Sequence, residues 1–260
     1  MSRGGAQRIA PLIRVLLLGA AAALWAGPED RYPVPEPLVD PQAEVALLET
    51  ALARFYPIGW SLDGKLAYLE QGNIGGGCGD CPYIVVTIQN LVTDEILWRW
   101  QSGVLDPSEE DLVVSAWREH AAEIQAELER QGIEPLERSA RTTMGVGPRV
   151  RALGREYTFE VRSTTMSAQV PYPYSEGSAT FQLVLEAELT VSAPGLGSKR
   201  IHRASFEPGD RVLEMEVAGA LLSDTSPRAA VVVATISLDF EHNRIVEWWI
   251  VGAHLTYGYQ

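Results

Sequence analysis

Tyr56–Trp100 reads YPIGWSLDGKLAYLEQGNIGGGCGDCPYIVVTIQNLVTDEILWRW, and its turn chemistry decides the fold class. Asp63-Gly64 stands between apolar runs, a tight-turn signal because both residues tolerate positive φ. Leu66–Glu70, the β-branched run Tyr83–Gln89 and Glu95–Trp100 are predicted strands. The Gly-rich loop 72–80 and the turn at Thr93-Asp94 separate them. Together with the segment around Trp60 they make a meander of four short antiparallel strands.

On the N-terminal side, Val45, Leu48, Leu52 and Phe55 fall at helical spacing, with Pro57 as the stop. Residues 27–41 carry five prolines and read as an extended linker. Residues 1–26 have the form of an export signal. Arg3, Arg8 and Arg14 precede the small, apolar run Val15–Ala26, with a cut expected after Ala26 or Ala23. That run is shorter than the roughly 20 residues a membrane helix needs. No stable span is therefore expected after cleavage, and the protein is expected to be periplasmic or extracellular.

On the C-terminal side, Asp106-Pro107-Ser108-Glu109 predicts a helix start, with Asp106 as cap and Pro107 in the first turn. Val113, Trp117, Ile124 and Leu128 share one face, and Gly132 is the natural stop, giving a long amphipathic helix over 106–131. Residues 133–149 read as a connector. From 150 to 260 the period is two. Tyr157, Phe159 and Val161 form one apolar face. Phe181, Leu183, Leu185, Ala187, Leu189 and Val191 form another, and Leu213, Met215 and Val217 a third. Turns are predicted at Pro194–Gly197, Pro208–Asp210 and Glu241–Arg244. Ala229–Ile236 is apolar on both faces, as a central strand requires.

The fold class that follows is mainly β (α+β): antiparallel meanders in a sandwich-like or curved sheet, with one long helix. Residues 42–260 read as a single domain, made of a meander (42–104), the helix (106–131) and a second meander (150–260).

Trp60-Ser61-Leu62-Asp63-Gly64-Lys65-Leu66-Ala67-Tyr68, followed by Ile84–Gln89 and Leu91-Val92-Thr93-Asp94, resembles the half-blade pattern of TolB-type and WD40-like propellers. Leu62 replaces the usual Pro, and Gln89-Asn90 stands where Asp is usual. The pairing of this start with Pro227–Thr235 and Val251–Leu255 resembles bacterial secreted proteins of unknown function. The resemblance implies export and a β-meander, and no activity. No 40–50-residue period repeats, as a closed propeller would need.

The net charge of −13 argues against sequence-independent nucleic-acid binding, which needs clustered cations. Cys78-Gly79-Asp80-Cys81 could be a disulfide, a redox pair or half a metal site. No helix follows to lower a thiol pKa, and no second C-x-x-C completes a zinc site, so a structural disulfide is expected. His120, His202, His242 and His254 are scattered, and no metal or cofactor is expected. Glu186 and Glu188, or Glu214 and Glu216, pair carboxylates on a strand face, a pattern that serves glycoside hydrolysis but is commoner on a solvated surface. Tyr172, Tyr174, Trp248 and Trp249 are the candidate binding surface. In a strand Trp248 and Trp249 face opposite ways, which puts one of them outside or at an interface. The functional expectation is an exported, non-catalytic binding or envelope-associated module with a protein or glycan partner. A secreted hydrolase using carboxylate and His residues is the alternative.

Intact mass of the exported protein checks the two covalent expectations. The chain should begin at Gly27 or Leu24, and reduction should add two hydrogens. A full-length mass, or no change on reduction, would contradict them.

Overall fold

The computed structural model describes residues 31–37, 54–73, 82–106, 108, 111–136, 142–144 (backbone), 149–174, 176–222, 227–239 and 241–260. The chain divides into two units, Met1–Pro33 and Val34–Gln260. Of the first only Arg31–Pro33 is described, with the Arg31 guanidinium 5.7 Å from the centroid of the Tyr32 ring. The export signal, the 42–53 segment and the Cys78–Cys81 pair lie outside the described residues.

The second unit is mainly β, with open antiparallel sheets and one long helix. Its first sheet holds β1 (Arg54–Ser61), β2 (Lys65–Asn73), β3 (Pro82–Asn90), β4 (Glu95–Gln101) and, after the helix, β5 (Ile133–Pro135), in the order β4-β3-β2-β1-β5. This is the meander read from the sequence. In its first turn the Ser61 hydroxyl accepts from the Lys65 N–H at 2.8 Å, and Gly64 alone takes positive φ, at 92°. Phe55 departs from expectation. It lies in a strand, not a helix, because β1 runs through Pro57 at a register shift ahead of the β5 pairing, where the missing N–H is tolerated.

Helix α1 spans Leu112–Arg130. It starts later than its first capping signal. Asp106 instead accepts from the backbone N–H and hydroxyl of Ser108, while Asp111 caps α1 by accepting from the Val114 N–H at 3.1 Å. Gly132, at φ 68°, ends it. Nineteen residues make a rod of about 28 Å. Val113, Ala116, Trp117, Ile124 and Leu128 are buried. The His120 ring sits 4.7 Å from Trp100, which shares the Val86 face of the first sheet, so α1 covers that face.

The connector supplies short strands. Its first is β5, and β6 (Thr142–Met144) joins a central sheet of β11 (Val212–Leu222), β12 (Arg228–Leu238) and β13 (Arg244–His254), ordered β13-β12-β11-β6. A third sheet, ordered β10-β9-β8-β7, contains β7 (Arg149–Ala152), β8 (Arg155–Pro171), β9 (Ser178–Ala193) and β10 (Gly197–Ser205). Strand β12 is apolar on both faces because both are covered. Ala230, Val232 and Ala234 join Phe55, Trp60, Leu66 and Tyr68 in one core, while Ala229, Val231 and Val233 join Tyr157, Phe159, Leu189 and Val191 in another.

Bulges modify the period-two faces. One at Leu185 brings Val184, rather than Leu183, into the core with Ala187, Leu189 and Val191. One at Leu213 brings Val212 in beside Met215 and Val217. Strands β8 and β9 outrun their neighbours as a two-stranded ribbon, and its tip rests on the β12–β13 turn. There His242 lies between the rings of Tyr172 and Phe181, with Nε2 2.9 Å from the Pro171 carbonyl oxygen.

The first and central sheets are joined along the outer edge of β13. The Gln89 side chain donates to the Ile250 carbonyl at 2.8 Å, and Asp94 accepts from the Gly252 N–H at 2.9 Å. A Cβ at Gly252 would lie 1.8 Å from the Leu91 carbonyl oxygen. Gly252→Ala is therefore expected to destabilise the protein by on the order of 3 kcal/mol, read as a lower urea midpoint by tryptophan fluorescence. An unchanged midpoint would refute this account of the junction.

Candidate functional site

Strand periodicity builds a cavity of about 250 Å³ where the first sheet meets β13. On β2, Tyr68, Glu70 and Gly72 share the face that carries Leu66 into the core. Register sets Thr87 and then Arg99 beside Tyr68, Val85 beside Glu70, and Tyr83 beside Gly72. Val246, Glu247, Trp248 and Trp249 of β13 close the other side. The far end of the Tyr83 ring packs over Gly72, where a Cβ would lie 2.5 Å from its Cζ.

The polar groups are few. The Tyr68 hydroxyl donates to Gln89 Oε1 at 3.2 Å, so it is committed to the junction. Burial, with the nearby Glu70 charge adding to it, raises its pKa. Burial raises Tyr83 as well. Glu70 makes no hydrogen bond or ion pair among the described residues. Burial pushes its carboxyl up to about 7, against a downward pull from Arg99 and with a smaller upward push from Glu247. Arg99 and Glu247 are exposed at the rim. Trp248 is only 8% exposed, and its indole N–H has no acceptor among the described residues.

No protein-family model matches the chain, and neither a curated protein nor a solved structure shows significant similarity to it.

The candidate residues from the sequence do not assemble into one place. Tyr172 and Tyr174 are 45% and 78% exposed at the ribbon tip, where Tyr174 donates to Glu241 at 3.4 Å. Trp248 and Trp249 do face opposite ways, into the two cores, but neither stands outside. Both faces of β13 are covered, which a sequence pair cannot reveal. They line the cavity instead of extending the Tyr172–Tyr174 surface. Glu186 and Glu188 share an open cleft of about 340 Å³, where Arg203 holds the first at 2.8 Å and Arg200 the second at 3.2 Å. Glu214 and Glu216 lie on a different sheet, and burial raises the Glu216 pKa. His202 packs edge-on to Trp249, with ring centroids 6.2 Å apart. Among the described residues no group of three or more His, Cys, Asp or Glu side chains is placed to hold a metal. No described helix is long and apolar enough to cross a membrane.

Glu70 carries a sequence signal that was available: it continues the alternation Leu66, Tyr68, Glu70 on an apolar face. Its partners on β13 carried none, because they arrive from a distant part of the chain.

Glu70 makes stability depend on pH. Its folded pKa lies above its ordinary value of 4.5. Its favourable contribution is therefore complete below about pH 4.5 and is lost as pH rises through about 7. Relative to wild type, Glu70→Gln should gain stability between pH 5 and pH 8, by at most about 3 kcal/mol. Urea midpoints of both proteins at the two pH values check this. A difference that does not change with pH would refute the burial of this carboxyl.

Proposed function

We propose that this protein is an exported, non-catalytic binding module whose binding element is the cavity between the first sheet and β13. The observation that carries the reading is Glu70, a half-buried carboxyl in a cavity also lined by Tyr68, Tyr83 and Trp248, which accepts no hydrogen bond among the described residues. A partly buried charge without a contacting partner is costly, and such groups cluster at functional sites. The size supports a small occupant, because 250 Å³ lies just below the roughly 300–1,000 Å³ of drug-sized sites. Export rests on the signal-like residues 1–26 and on the resemblance of the first meander to secreted proteins. The hydrolase alternative has less support: Glu186 and Glu188 are engaged by arginines, and Glu214 and Glu216 stand on another sheet.

A thermal-shift screen of soluble amines, amino acids and simple sugars tests the reading. A ligand present at a hundred times its Kd adds about 2.7 kcal/mol. At least one compound should raise the melting temperature of the wild type and fail to do so for Val85→Trp, which fills the cavity. Hydrolysis of a chromogenic glycoside that Glu186→Gln abolishes would support the hydrolase instead.

A further inference from the structure

We propose that the cavity receives a small organic ammonium ion carrying an oxygen acceptor, with the ammonium seated against Glu70. The proposal rests on the cavity being a binding site and goes further by naming the chemistry of its occupant. The carboxyl of Glu70 is half-buried at this cavity and accepts no hydrogen bond among the described residues, and the Arg99 guanidinium at the rim acts on it through its charge without an ion-pair contact. The surroundings of the carboxyl are aromatic. Tyr68, Tyr83 and Trp248 line the same space, and aromatic rings attract cations, the more so when desolvated. The Tyr68 hydroxyl is taken by Gln89. Glu247 at the rim adds a second negative charge, and the net charge of −13 draws cations towards the protein. A simple anion is disfavoured by the two carboxylates.

The acceptor on the ligand follows from a separate observation. Arg99 lines the rim, and its guanidinium makes no hydrogen bond among the described residues. A bare alkylammonium would leave it unused. An ammonium joined by a short chain to a hydroxyl or carboxylate would satisfy it. The matched requirements are thus a negative seat, aromatic residues in the lining and a donor for an oxygen.

Isothermal titration with choline, glycine betaine and 3,3-dimethylbutanol, the uncharged carbon analogue of choline, tests the assignment. Choline or glycine betaine should bind, and the uncharged analogue should bind about tenfold more weakly or worse. Glu70→Gln should weaken ammonium binding by about tenfold or more. This variant removes a charge from an enclosed site and should fold. Arg99→Gln loses the guanidinium at the rim, and should weaken binding of glycine betaine severalfold while its urea midpoint confirms folding. Equal binding of charged and uncharged probes, or unchanged affinity in Glu70→Gln, would overturn the proposal. If a neutral sugar alone binds and Val85→Trp abolishes it, the ammonium assignment fails and the binding module stands. If no probe of any class binds, both fail. Competition with phosphatidylcholine vesicles separates two supporting outcomes: displacement of choline assigns the ammonium to a lipid headgroup, and no displacement to a free ion.

Discussion

The bond from the Gln89 amide to the Ile250 carbonyl, with its companion from the Gly252 N–H to Asp94, organises the second unit. Strand β13 is the edge of the central sheet, and an edge strand presents unpaired backbone groups that invite pairing with other chains. Here side chains from the β3–β4 region take up two of those groups. The edge is closed without adding a strand, so the first sheet can lie against the central one face to face. Gly252 permits the approach because the Leu91 backbone occupies the space a side chain would fill. Gln89 also accepts from the Tyr68 hydroxyl. The junction thus fixes one wall of the cavity whose seat is Glu70.

The layering follows from this closure. Strand β12 sends Ala230, Val232 and Ala234 to one core and Ala229, Val231 and Val233 to the other. Small and β-branched residues suit a strand with a neighbouring layer on each side. Polar residues are displaced to the outer faces. On the third sheet Arg162, Glu188 and Arg203 stand in register as a row of alternating charge, with ion pairs at the surface that contribute little to stability.

Much of this was legible in the residues. The Asp63-Gly64 turn, the helical stripe Val113–Leu128, the Gly132 stop and the two-faced apolar run of β12 each carry their structure locally. The bulges at Leu185 and Leu213 do not, because a strand with one inserted residue keeps an unremarkable composition while its inward face changes. The helix start was ambiguous for a related reason: Asp106 and Asp111 are both competent caps, and the Asp106 side chain is taken by Ser108. The cavity was half legible. Glu70 is visible as a charge on an apolar face, but Trp248 comes to it through pairing with Ala234, a relation fixed only by the assembled sheets. The same pairing explains why Trp248 and Trp249 are both covered.

The Gln89–Ile250 bond joins residues 161 positions apart. During synthesis the first meander can form early, since its strands pair with near neighbours, yet its inner face holding Phe55, Trp60 and Tyr68 has nothing to rest on until the central sheet exists. Contacts of such long range are slow to make, and an apolar sheet face left waiting is prone to self-association. The core between these two sheets is thus completed late, and loss of β11–β13 would leave the first sheet formed but sticky.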